Sequence, residues 1–294
     1  MEEQPQALFK DKDFFPKKLY IRSDKLMKTL LSFLIFLIGI YILICLLLYF
    51  FQEKMIYFPQ RLSKDFTFEF KENFEEQFVE MEDGVLLHSL LFTAENSKGV
   101  IFYLHGNAGS LMDWGGVAEI FTLLDYDVFI PDYRGYGKSD GAIKNEAQMH
   151  GDMSKLYQHL VQVYPEKEIV ILGHSIGSGM AAKLAAANNP KLLILQAPFY
   201  SIPHLAGSTF PLNLFPGFLI KYKFETGKYV QETNVPLVVL HGDKDEIINY
   251  GSSLKLQENF KPGDTLITLE GYGHNNFIGT QKYNSEIKKI LEKY

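Results

Sequence analysis

The sequence has a single cysteine, Cys45, which excludes an intrachain disulfide and gives no thiolate metal spacing. No pair of histidines stands at ligand spacing, so neither a metal nor any other cofactor is expected. Lys/Arg-rich blocks are missing beyond the first sixty residues and the formal net charge is −6, which argues against nucleic acid as a partner. There is no Asn-x-Ser/Thr acceptor, no Gly/Ser linker and no internal repeat. With 47% apolar and 22% charged residues, wholesale disorder is not expected either.

What is present begins with an uncharged apolar run, Leu30–Phe51. As a helix rising about 1.5 Å per residue it reaches about 33 Å, enough for a hydrocarbon core of about 30 Å. It has no polar stripe, unlike an amphipathic core helix, and it exceeds a signal-peptide apolar region of about 7–15 residues. Residues 30–51 are therefore expected to be an uncleaved transmembrane helix. Lys17, Lys18, Arg22, Lys25 and Lys28 precede it, against Glu53 and Lys54 after it. By the positive-inside tendency residues 1–29, with Phe9, Phe14, Phe15 and Tyr20, form a cytoplasmic tail, and the rest of the chain lies on the far side. The missing glycosylation acceptors and disulfides fit a bacterial inner membrane with a periplasmic domain.

From Tyr57 the pattern changes to alternating strands and helices. Gln77–Met81 and Val85–Phe92 flank Glu82-Asp83-Gly84 as a hairpin. Strands are expected at Gly99–Leu104, Asp127–Pro131, Glu168–Leu172, Leu192–Gln196, Pro236–Leu240 and Thr265–Leu269. Helices are expected from Asp113, as cap, to about Leu124, and at about Glu146–Val163, Ser178–Ala187, Tyr250–Asn259 and Asn284–Lys293. Nearly all-apolar strands alternating with helices mean a mostly parallel sheet covered on both faces. One domain, residues 57–294, is expected, interrupted by a cap-like insert at about 198–231 where Pro198, Pro203, Pro211 and Pro216 break the rhythm.

The chemistry centres on Gly173-His174-Ser175-Ile176-Gly177, which ends an apolar strand and opens a small-residue helix. In a strand–turn–helix setting Ser175 sits on a strained elbow with its hydroxyl held out, and the flanking glycines keep side chains from crowding it. The Ile176 N–H, at the helix start, is positioned to meet an oxyanion. A serine hydroxyl needs a base, and the base a carboxylate. Past Ser175 the candidate bases are His204, His241 and His274. His204 lies in the irregular insert and His241 ends a strand where it braces the turn. His274, in the Gly-rich loop after the last strand, is the expected base. The acid must come from the loop after Leu240, which offers Asp243, Asp245 and Glu246. Asp245 is the expected acid, while Asp243 is expected to bond turn amides. A second oxyanion donor is expected from the Asn107 N–H, in the His105–Gly109 loop after an apolar strand. His105, Tyr133 and Arg134 are expected to brace loops. Ser139, Ser178, His88, His150 and His159 carry no functional expectation.

Taken together, HGNAG, DYRGYGKSDG, GHSIG, HGDKDEI and GYGHN, in this order from Gln77 to the C-terminus, resemble the α/β-hydrolase superfamily. More narrowly the chain resembles the membrane-anchored branch containing the bud-emergence-type proteins and the α/β-hydrolase-domain depalmitoylases. The resemblance implies the α/β-hydrolase fold after an N-terminal transmembrane helix, with Ser175 as nucleophile, Asp245 as acid and His274 as base. The apolar start matches the bud-emergence type. It departs from the depalmitoylases, described as held by N-terminal palmitoylated cysteines, since the only cysteine here lies inside the apolar run.

The expected activity is cleavage of an ester or thioester, with a lipid or fatty-acyl group as candidate substrate. Phe199, Leu205, Phe210, Leu212, Leu214, Phe215, Phe218 and Leu219 of the insert are candidates for an apolar pocket wall. The competing readings are a peptidase of the prolyl-aminopeptidase type, which needs acidic residues where this insert has only Glu225, and an inactive tethered scaffold.

Overall fold

A computed structural model of the chain describes residues 17–209 and 211–294, with side chains from residue 25. Phe9, Phe14, Phe15, Phe210 and most of the expected tail lie outside the described residues. The chain divides into two units, one ending at Phe50 and the other spanning Phe51–Tyr294. Helix α1 (Lys17–Phe50) of the first unit contains Lys25–Phe50, which by length and composition is long and apolar enough to cross a membrane. Its Leu, Ile and Phe side chains are largely exposed, as a span without its lipid would be.

The second unit opens with α2 (Gln52–Ile56) and the two-residue strand β1 (Phe58–Pro59). Then follow the hairpin strands β2 (Phe74–Glu80) and β3 (Leu86–Phe92), and β4 (Val100–Leu104). The short β5 (Ala108–Gly109) pairs with β1, ahead of α3 (Leu111–Trp114), α4 (Ala118–Thr122), β6 (Asp127–Pro131) and α5 (Glu146–Val161). The second half comprises β7 (Ile169–His174), α6 (Gly177–Ala187), β8 (Leu192–Gln196), α7 (Ile202–Ser208) and α8 (Thr226–Glu232). It ends with β9 (Leu237–Gly242), α9 (Gly251–Gln257), β10 (Thr265–Leu269) and α10 (Gln281–Lys293).

Eight strands form one sheet in the order β10-β9-β8-β7-β4-β6-β3-β2, parallel from β10 to β6 and antiparallel across β3 and β2. Because successive side chains alternate in direction, each apolar strand feeds two cores. Phe102 and Ile171 face one core, with Leu156 of α5, Met180 of α6 and Val230 of α8. Tyr103 and Leu172 face the other, with Phe121 of α4 and Ile287 of α10. This two-faced burial explains the nearly unbroken apolar strands.

Several boundaries differ from expectation for identifiable reasons. The helix expected from Asp113 is capped by Ser110, whose hydroxyl accepts from Met112 N, while Asp113 returns to the Ser110 amide at 3.0 Å as a capping box. It breaks into a tight turn at Gly115–Val117, where Gly115 lies against the Phe70 ring. Helix α10 starts earlier than expected because Thr280 caps it. Within 198–231 only the middle is irregular. Tyr222, Phe224, Tyr229 and Val230 are buried in the main core, and α8 packs on α6.

Candidate active site

Ser175 sits between β7 and α6 with φ of 53°, a left-handed conformation costing a non-glycine residue about 1–3 kcal/mol. The surroundings hold it there. Its N–H donates to Gln196 O at 2.9 Å, and its carbonyl accepts from Ser178 N at 3.0 Å and Ser178 Oγ at 2.6 Å. The elbow closes so tightly that a Cβ on Gly173 would lie 2.5 Å from Gly177 O, and one on Gly177 only 2.1 Å from Leu104 O. The glycine spacing is thus required by backbone packing as well as by access to the hydroxyl.

The turns after β9 and β10 bring the other candidates to Ser175. His274 Nε2 lies 2.9 Å from Ser175 Oγ, and its Nδ1 lies 2.7 Å from Asp245 Oδ2. Nδ1 faces a carboxylate and so carries the proton, leaving the Nε2 lone pair toward the serine hydroxyl. Asp245 Oδ1 accepts from the amides of Ile247 and Ile248, both at 2.8 Å. Burial alone would raise the Asp245 carboxyl. The hydrogen bonds from His241 and His274 outweigh it, with help from the Ile248 amide, and hold it far below the usual carboxylate range. The group is an anion at neutral pH. Gly242 makes the approach possible, because a Cβ there would meet Tyr272 O at 2.2 Å.

Asp243, the alternative acid, accepts from Gly271 N at 2.6 Å and so ties the two turns together, as expected of it. Glu246 is not brought to His274. His204 lies on α7, and its amide donates to Ser201 Oγ. His105 Nδ1 donates to Gly106 O at 2.7 Å, and Tyr133 OH donates to His105 O at 2.8 Å, a bracing role. Arg134 links Asp83 and Asp152 through four hydrogen bonds of 2.7–2.9 Å.

Asn107 and Ile176 both line the cavity beside Ser175. Among the described residues, neither backbone N–H donates to a protein acceptor. Asn107 is fixed by three other bonds: its carbonyl accepts from Phe58 N at 2.9 Å and Tyr136 OH at 2.7 Å, and its Nδ2 donates to Ile56 O at 3.0 Å. Two available amides on rigid supports are what a developing oxyanion requires.

The cavity has a volume of about 340 Å³. Its walls include Trp114, Phe199, Ile202, Leu205, Leu212 and Ile248. Of the insert residues expected there, Phe199, Leu205 and Leu212 line it; Leu214 and Phe218 face outward and are exposed, and Phe215 and Leu219 are not on the wall. Sequence reasoning missed Met55 and Ile56, which reach the cavity because Gln52 anchors α2 to the insert: its side chain donates to Leu219 O and accepts from Lys221 N, both at 2.9 Å. Trp114 was also missed, though as the only tryptophan it was conspicuous. Its indole N–H donates to Ala108 O at 2.8 Å and its ring stacks on His105. His174, under the site, is fully buried and is lowered to about 3 by burial and by its neighbour His274.

Comparison with known proteins gives this geometry a family. A family model described as serine aminopeptidase, S33, matches residues 95–225. The chain is 30% identical over 216 residues to the protein bem46 of Schizosaccharomyces pombe, covering 68% of this chain and 72% of that one. It is 31% identical over 186 residues to the lysophosphatidylserine lipase ABHD12 of Danio rerio, of which it spans about half, 48%, against 56% of its own length. Among solved structures, a Pyrococcus furiosus esterase superposes with a TM-score of 0.65 at 19% identity, over 81% of this chain and 97% of that one. The esterase Est1E of Butyrivibrio proteoclasticus, bound to ferulic acid, gives 0.63 at 20% identity, over 74% and 98%. With the relationship to bem46 spanning most of both chains, the chain belongs to the α/β-hydrolase superfamily, in the bud-emergence branch.

Proposed function

We propose that the protein is a membrane-anchored serine hydrolase that cleaves carboxylic esters or thioesters, with lipid or fatty-acyl substrates preferred. The observation that carries this reading is the unbroken run of short contacts from Ser175 Oγ through His274 to Asp245, opening into an apolar cavity. In the proposed mechanism His274 Nε2 takes the Ser175 proton as Oγ attacks the acyl carbonyl, and Asp245 steadies the imidazolium. The amides of Asn107 and Ile176 donate hydrogen bonds to the carbonyl oxygen as it becomes an oxyanion. Collapse returns the proton to the leaving alcohol or thiol. Water then attacks the acyl-enzyme by the same route and frees Ser175 and the acid.

A peptidase of the prolyl-aminopeptidase type would use the same three residues, and the matching family model is described as serine aminopeptidase. Such an enzyme needs an acidic group for its substrate's ammonium. Among the described residues no Asp or Glu lines the cavity, which favours the ester. The Danio rerio relative's designation as a lysophosphatidylserine lipase supports a lipid substrate. Lys25 and Lys28 before the apolar segment support a cytoplasmic N-terminus and a hydrolase unit on the opposite side, which in a bacterial inner membrane is the periplasm.

The decisive experiment is hydrolysis of p-nitrophenyl esters from acetate to palmitate by the detergent-solubilised chain, with Ser175→Ala as control. Turnover abolished by the substitution, rising with chain length, is the expected result. An active Ser175→Ala protein would exclude Ser175 as nucleophile. No turnover of any ester, with cleavage of aminoacyl amides instead, would establish the peptidase reading.

A further inference from the structure

Asp245 is shared between two histidines. His241, fully buried on β9, places Nε2 3.0 Å from Asp245 Oδ2 and 2.9 Å from Ile248 O. Its Nδ1 lies 2.7 Å from the hydroxyl of Ser253, itself fully buried on α9. Both neighbours of Nε2 are acceptors, so Nε2 carries a proton. The neighbour of Nδ1 is a hydroxyl that can donate. In neutral His241 the Ser253 O–H therefore satisfies the bare nitrogen and selects the Nε2–H tautomer. His274 Nδ1 reaches the same Oδ2 at 2.7 Å, while the Ile247 and Ile248 amides occupy Oδ1.

The bond to Ile248 O braces the turn, as expected of His241, but does not by itself account for the contact with Asp245 Oδ2. Two backbone amides already hold Oδ1, whereas the His241–Ser253 pair buries two more polar side chains to reach the oxygen that faces His274, an expensive choice unless it serves that oxygen. A second donor on Oδ2 fixes the plane of the carboxylate. It also draws electron density from the oxygen, so that the proton stays on His274. We infer that His241, held as an Nε2–H donor by Ser253, is a positioning residue that aims Asp245 at His274 and moderates its pull on that imidazole. This rests on the ester-hydrolase reading above. The groups facing His241 are Asp245, Ser253 and the edge-on Tyr250 ring, whose hydroxyl is bonded to Thr268 of β10. Those facing His274 are Ser175, Asp245 and His174.

The test compares His241→Leu, which removes the donor, with His241→Gln, whose amide can reach the Nε2 position, in ester hydrolysis by the full solubilised chain. His241→Leu is expected to lower kcat about 10–100-fold, as losing a supporting hydrogen bond typically does, with KM little changed. The acid limb of its pH–rate profile moves to higher pH, because an unshared Asp245 stabilises the imidazolium more strongly. His241→Gln restores most of kcat and the limb. A folded His241→Leu protein with the wild-type profile overturns the inference. So does one that loses activity with an unmoved limb and no rescue by Gln, because that pattern reports packing alone. If His241→Leu does not fold, Ser253→Ala decides: a smaller loss with the limb moved the same way supports the inference, and an unmoved limb overturns it. Failure of the wild-type chain to hydrolyse esters or to take a fluorophosphonate label at Ser175 would instead remove the parent reading, a result independent of both variants.

Discussion

Gly177 lies so close to Leu104 that a methyl group on it would stand 2.1 Å from the Leu104 carbonyl oxygen. The obstacle is backbone of the central strand β4, which cannot rotate away as a side chain could. Gly177→Ala must therefore lift the start of α6 off the sheet. We expect a loss at the upper end of the ~1–3 kcal/mol typical of overpacking, measured by urea unfolding followed through Trp114 fluorescence. An unfolding midpoint equal to wild type would mean that α6 shifts without cost.

Asp245→Asn keeps the size of the acid but presents an amide to two imidazole N–H groups. The His274 tautomer with its lone pair toward Ser175 loses its support, so kcat for esters should fall by about 10⁴-fold while binding is nearly unchanged. Retention of more than a tenth of wild-type kcat would show that the carboxylate does not orient the base.

Leu205→Ser and Leu212→Ser change the cavity wall without touching Ser175, His274 or Asp245. Each should reduce kcat/KM for long-chain esters far more than for acetate, since each deleted buried contact of this kind is worth about 1.5–3 kcal/mol of apolar transfer. Phe218→Ser, on the exposed face of the insert, should leave the profile unchanged. Equal losses on short and long chains would end the case for an acyl-binding wall.

His174 gives a pH dependence whose sign can be worked out. Burial first, then the neighbouring His274, lowers it to about 3, with the Asn275 hydrogen bond offsetting part of the effect. The unfolded chain takes up a proton below about pH 6.5, which the folded chain refuses until about pH 3. Its contribution is thus complete above about 6.5 and is lost as pH falls, at up to about 1.4 kcal/mol per unit inside that window. His105, lowered by burial, adds in the same direction. Urea unfolding of His174→Gln should show a visibly shallower fall in stability between about pH 6 and pH 4. An identical slope would assign the acid sensitivity to other groups.

Local physics wrote part of this molecule directly into the sequence. The apolar strands are legible because each is buried on both faces, and period-free runs of Val, Ile and Leu have few other uses. The apolar segment before Phe51 is legible because its length and uncharged composition are those needed to cross a membrane. The elbow is legible because backbone contact at Gly173 and Gly177 tolerates no other residue. Order after Ser175 narrows the base to His204, His241 and His274 and the acid to Asp243, Asp245 and Glu246, and placement in the turns after strands favours His274 and Asp245. What remained hidden depends on contacts between residues far apart in sequence. Gln52 holds the insert 167 residues away, and that contact puts Met55 and Ile56 at the cavity. Ser110 rather than Asp113 begins α3, a choice settled by backbone geometry that either side chain could have satisfied. The second histidine on Asp245 was visible as a residue but not as a partner, because only the packing of α9 against β9 brings Ser253 to its far nitrogen. Sequence determines which segments must be buried and which turns must be tight; which polar groups then meet is decided by the tertiary structure, where most buried donors have to find an acceptor.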